Sequence, residues 1–92
     1  MRAVLWGDLD IYELARFRAV LEGLRGDTIT LDMHRVRSVS AAFVTEIVRL
    51  RRRCPLSRIV LVGLSDVNAR VLRLVGLDAV CTLLGAPRPP AG

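Results

Sequence analysis

The stretch Val36-Arg37-Ser38-Val39-Ser40-Ala41-Ala42-Phe43-Val44-Thr45-Glu46-Ile47 reads as a passage from a strand into a helix. Upstream of it, Ile29, Leu31 and Met33 alternate with Thr28, Thr30 and Asp32, the period of two that turns one face of a strand to a core. Downstream, Phe43, Ile47, Leu50 and Cys54 recur at 4, 3 and 4 residues, with Val44 and Val48 beside them, which is a helical stripe. Ser40 stands where an N-cap belongs, and its hydroxyl can accept a bond from an orphan amide of the first turn. A strand over 28–33 is therefore followed by a helix over about 41–53. Pro55 closes that helix, because it disfavours helical backbone at Cys54.

The same reading extends in both directions. Arg2-Ala3-Val4-Leu5-Trp6 is a short apolar strand broken by Gly7-Asp8. Asp10 can cap a helix over Ile11 to Leu24, whose stripe is Leu14, Phe17, Leu21 and Leu24. Glu13/Arg16 and Glu22/Arg25 are i,i+3 pairs on its outer side, and Gly26 suits its C-terminal stop. Beyond Pro55, Arg58-Ile59-Val60-Leu61-Val62 is an aliphatic run that fits a strand buried on both faces. Ser65-Asp66 opens a third helix with Val67, Val71, Leu74 and Val75 on one face. Gly76 is placed for a left-handed cap with Leu77 as its hydrophobic contact. Residues 78–84 offer a last short strand, and residues 86–92 form a Pro-rich tail expected to be disordered. Strands alternating with helices across short connections predict an α/β domain over residues 1–85, with about four mostly parallel strands and three main helices.

Ninety-two residues are one domain. No apolar run reaches the roughly 18 residues needed to span a bilayer, and Trp6-Gly7-Asp8-Leu9-Asp10 interrupts any signal-peptide core. A cytoplasmic protein with no membrane attachment is the expectation. All fourteen basic residues are Arg against nine acidic ones, giving a formal charge of +5. The absence of Lys excludes Schiff-base and P-loop lysine chemistry. No G-x-G-x-x-G, G-x-x-x-x-G-K or G-x-S-x-G is present, so no cofactor is expected. Cys54 and Cys81 stand apart and read as buried thiols, and the single histidine, His34, lies at a strand end without a ligand-spaced partner, so no metal site is expected. Asp8 and Asp10 flank a turn and read as turn and cap residues rather than an acid/base pair. An enzyme is not expected. Arg49, Arg52 and Arg53 share one side of the middle helix, the face for an alternative reading as a binder of nucleic acid or of an acidic partner. The four aromatics show no interleaving that would read bases, so specific nucleic-acid recognition is not expected.

Several of these segments resemble the STAS domain, the anti-sigma factor antagonist family. Gly7-Asp8-Leu9-Asp10 is similar to the G-E-L-D after that family's first strand. Thr30-Leu31-Asp32-Met33 with Val36 resembles its L-D-L…V lead-in to the switch. Arg58 to Val62, Leu64-Ser65-Asp66-Val67 and Val71 to Asp78 are similar to its closing strand and helix. The resemblance runs over residues 2–84. It implies a non-enzymatic interaction module, monomeric when alone, that binds an anti-sigma factor, a related kinase-fold regulator or another STAS protein. The implied contact surface is Asp8, Asp10, Ser40, Ala41, Ala42, Phe43, Val44 and Thr45.

The family's switch is D-S-S-G-L at the start of the second helix, phosphorylated on its second serine. Here those positions read Ser40, Ala41, Ala42, Phe43 and Val44. Ala42 has no hydroxyl, so that modification is chemically impossible there. Phe43 in place of glycine puts a large ring where the family keeps the surface open. Ser40, Ser38 and Thr45 are the remaining hydroxyls that could carry an off-register phosphate.

Overall fold

A computed structural model describes residues 1–85, so the tail expected over 86–92 lies outside the described residues. Four strands form one sheet in the order β1-β2-β3-β4, all neighbours parallel. They are β1 (Arg2–Leu9), β2 (Thr28–Val39), β3 (Arg58–Leu64) and β4 (Thr82–Gly85). Three helices connect them, α1 (Leu14–Glu22), α2 (Ala41–Arg53) and α3 (Asp66–Leu74). Parallel neighbours need a crossover each, and right-handed crossovers in sequential order put all three helices on one face. The expected α/β sheet with three main helices is the observed one.

The alternation in β2 fixes which face that is. Ile29, Leu31 and Met33 are buried, and so are Leu5 and Leu9 of β1 and Ile59, Leu61 and Leu64 of β3. Phe17 and Leu21 of α1, Phe43, Ile47 and Leu50 of α2, and Leu72 of α3 complete one core cluster. Phe17 and Phe43 meet edge to face with centroids 6.1 Å apart. The other face carries no helix among the described residues, which corrects the reading of β3 as covered on both sides. Val60 is nonetheless buried, because Thr30 and Thr82 stand beside it in register.

Several boundaries differ from the sequence expectation. β1 runs through Gly7-Asp8 to Leu9, and β2 continues past Met33 to Val39. Register shifts between Val4 and Trp6 and between Gly7 and Asp8 let both strands continue without losing their partners. His34 is thus within a strand, with its Nδ1 bonded to Asp32. The first turn after Asp10 is a 3₁₀ turn over Ile11–Glu13, and α1 ends at Glu22, before Gly26. Gly76 takes the left-handed cap (φ 78°), but Leu77–Ala79 then form a 3₁₀ turn, which delays the last strand to Thr82. Of the two anticipated surface ion pairs, Glu13–Arg16 is present at 3.1 Å, and Glu22–Arg25 is not.

Arginines tie the layers together. The Glu46 carboxylate is buried and accepts from Arg18 Nε (3.1 Å) and Nη2 (2.9 Å), linking α2 to α1. Arg51 donates to the carbonyls of Cys54, Ser57 and Val80, pinning the α2–β3 connection to the turn before β4. Both cysteines are free.

Candidate functional site

The C-terminal ends of β1 and β2 meet at one rim of the sheet, where α1 and α2 begin. The rim is built by hydrogen bonds between segments about thirty residues apart. Ser40 Oγ donates to the Leu9 carbonyl at 2.7 Å, and Ser38 Oγ donates to Asp8 Oδ1 at 2.7 Å. Arg37 Nε lies 3.3 Å from the same Asp8 oxygen. Asp10 Oδ1 accepts from the amides of Tyr12 and Glu13, so the turn after β1 is held rigidly.

Ser40 is the N-cap of α2 in backbone terms, with extended φ/ψ, but its hydroxyl makes no capping bond. The Leu9 carbonyl across the rim takes it instead. The first turn of α2 therefore keeps amides without side-chain partners, and Ala41 and Thr45 are exposed beside them. Thr45 Oγ1 donates to the Ala41 carbonyl at 3.0 Å, a local bond within the helix. Ala42 and Val44 are half-buried against the core.

Phe43 requires a correction. It is fully buried against Phe17 and cannot belong to a contact surface. Its helical stripe with Ile47 and Leu50 points at the sheet, so the ring that replaces a family glycine turns inward and leaves the rim open. Six of the expected contact residues (Asp8, Asp10, Ser40, Ala41, Ala42 and Thr45) come together at the rim, and Val44 lies beneath them.

The rim carries residues that the sequence did not single out. Tyr12 is 91% exposed and Ile11 62% exposed on the capped turn. Beside them an open groove of about 380 Å³ is lined by Trp6, Asp8, Asp10, Glu13, Arg16 and Arg37 among others. Arg16 stacks 4.5 Å over the Trp6 ring and donates Nη2 to the Trp6 carbonyl at 2.9 Å. Exposed Tyr and Trp beside Arg is the composition of binding hot spots.

Ser38 bonds directly to a carboxylate, while His34 lies on the open sheet face, bonded to Asp32. Hydrogen bonds from His34, reinforced by Arg2, hold the Asp32 carboxyl down at about 2. Among the described residues no group of three His, Cys, Asp or Glu could hold a metal, and no helix is long and apolar enough to cross a membrane.

Arg49, Arg52 and Arg53 are all exposed on the outer side of α2. Arg53 Nη2 donates to the Leu21 and Leu24 carbonyls (2.7 and 2.8 Å) and so caps the end of α1. Arg49 lies 3.9 Å from Glu46.

A single-face α/β sheet with a polar rim at the starts of α1 and α2 is the architecture of a STAS domain. The family model described as "Mlab, STAS domain" matches residues 2–85, and the chain belongs to that family. Two solved structures share the fold. The sulfate transporter family protein from Wolinella succinogenes is 18% identical with a TM-score of 0.74, covering 90% of this chain and 74% of that one. The anti-sigma factor antagonist SpoIIAA in its unphosphorylated form is 18% identical with a TM-score of 0.65, covering 94% of this chain and 79% of that one. No curated protein matches the sequence.

Proposed function

We propose that this domain is a non-enzymatic, cytoplasmic interaction module, monomeric when alone, that docks a partner through the rim formed by Asp8, Asp10 and the first turn of α2. The partner is an anti-sigma factor, a related kinase-fold regulator or another STAS protein. Membership of the STAS family and the fold shared with an anti-sigma factor antagonist support this reading. The observation that carries it is the exposed, rigid rim, with Asp10 locked by two amides and Ala41 and Thr45 open to solvent. Ala42 at the family's phosphoserine position makes the module a permanently unphosphorylated one at that position. Docking is then set by partner abundance and not by a kinase acting on that position. Phosphorylation of Ser38 or Ser40 is disfavoured, because each hydroxyl is already spent on a bond across the rim.

The test is calorimetric titration with a purified kinase-fold anti-sigma factor, using wild type, Asp10→Arg and Thr45→Arg. Each variant should weaken binding by about tenfold or more, as for central contacts of an interface. Unchanged affinity in both variants, with intact folding, rejects the rim as the docking site.

A further inference from the structure

The sequence singles out Val67, Val71, Leu74 and Val75 as one face of α3, and the structure turns that face outward. Their exposures are 71%, 38%, 79% and 56%. The side of α3 that meets the sheet is Asn68, Ala69 and Leu72. Three bonds fix this rotation. Ser65 Oγ accepts from the Asn68 amide at 3.1 Å, and Asn68 Nδ2 donates to the Val36 and Arg37 carbonyls at 3.4 and 3.5 Å. The helix is thereby inverted relative to an ordinary surface helix, which hides its aliphatic stripe and shows its polar side. Single exposed aliphatics are unremarkable, but a contiguous stripe of four marks a contact.

Charge borders this stripe on one side. At about 100° per residue the four aliphatics fall within an arc of about 100°; Arg70 lies about 40° beyond its Leu74 edge and Arg73 about 60° further round the same side. Both arginines are exposed, and neither has a carboxylate partner among the described residues.

We propose that the outer face of α3 is a second docking surface, and that its occupant is an amphipathic helix of a partner protein whose aliphatic stripe is bordered by Asp or Glu. The spacing of Val67, Val71 and Leu74, at 4 and 3 residues, presents knobs suited to a facing helix. The row of Arg70 and Arg73 asks for acidic side chains along one border of that helix. A second copy of this chain is a poor occupant. Each copy carries +5 and Asp66 is already engaged, so a facing copy would set Arg70 and Arg73 against like charge. A surface separate from the rim lets one domain hold two partners at once.

The experiment uses the full chain, labelled with nitrogen-15, and two synthetic helical peptides of about 18 residues with the same Leu stripe. One has Glu along both borders and the other has Lys. The Glu peptide should shift amides of residues 67–75 with a dissociation constant on the order of 10–100 μM. Leu74→Ser with Val67→Ser should weaken it about tenfold or more without changing the melting temperature, since both side chains are exposed. Arg70→Glu with Arg73→Glu should reverse the preference in favour of the Lys peptide. Four results would overturn the proposal. These are shifts mapping to the rim, equal binding of the two peptides by wild type, binding only to phosphatidylglycerol vesicles, or a concentration-dependent dimer abolished by Leu74→Ser.

Discussion

Arg18 and Glu46, on different helices, share two hydrogen bonds to a single carboxylate oxygen that is cut off from water. The carboxylate raises the pKa of the guanidinium, and Arg49 stands a further 3.9 Å away. Removing one partner strands a buried charge, whereas replacing both by apolar groups of similar size is often neutral. Arg18→Met is therefore expected to lower the melting temperature more than Arg18→Met combined with Glu46→Leu. Thermal melts of wild type, Arg18→Met, Glu46→Leu and the double variant test this. A double variant that loses the sum of the single effects would mean that the pair is not coupled.

Gly63 of β3 lies against His34 of β2. Its φ is +73°, and a Cβ built there would stand 3.0 Å from His34 Cβ and 3.1 Å from the His34 backbone nitrogen. Gly63→Ala thus carries the left-handed cost of about 1–2 kcal/mol together with a clash that only backbone movement relieves. A loss of about 2–4 kcal/mol is expected, which for a domain of this size lowers the melting temperature by about 8 °C or more. A change under about 2 °C would contradict the close approach.

Local pattern made the four strands and three helices legible, because each element carries its own periodicity. What it could not supply was long-range. Ser40 was readable as an N-cap by position, but its hydroxyl bonds Leu9, 31 residues away. The rotation of α3 hangs on Asn68 reaching carbonyls of Val36 and Arg37. Phe43 shows two sequence arguments in conflict. Family alignment put it at the surface and its helical stripe put it in the core, and burial follows the stripe. Tyr12 and Trp6 belong to no repeating pattern, so their place at the rim emerges only from folding.

Burial pushes the Cys81 thiol up to about 11. Only the thiolate is alkylated, so native Cys81 should react with iodoacetamide at pH 8 on the order of a hundredfold more slowly than the same residue in urea. Peptide mass spectrometry over a time course measures this. Equal rates in both states would show that the thiol is not desolvated.

Asp32 titrates at about 2 because His34 and Arg2 hold its charged form. A carboxyl lowered in the folded state stabilises the fold above its unfolded pKa, and that contribution fades as pH falls from about 4 through about 2. Melting temperatures of wild type should fall across that window more steeply than those of Asp32→Asn. The side chain is near solvent, so salt should reduce the difference. Parallel pH profiles would show that the Asp32–His34 bond does not stabilise the fold.

Ala42 is half-buried in the first turn of α2, where the helix keeps amides without side-chain partners. A carboxylate placed there meets the positive end of the helix dipole, so Ala42→Glu should cost the fold little. A docked partner would instead face a new charge in a closing interface, the same repulsion that a phosphate writes at about −1.5 to −2. Ala42→Glu should therefore weaken rim docking by about tenfold or more while the melting temperature stays within a few degrees. Ala42→Ser carries no charge, so it should bind as wild type does until a kinase acts on it. Added ATP should leave wild-type binding unchanged, because residue 42 offers no hydroxyl. Calorimetry on the three proteins, with and without ATP and a kinase-fold partner, separates these outcomes. Loss of affinity for Ala42→Ser before any phosphate is added would point to steric exclusion at residue 42, and the charge-based account of the missing switch would fall.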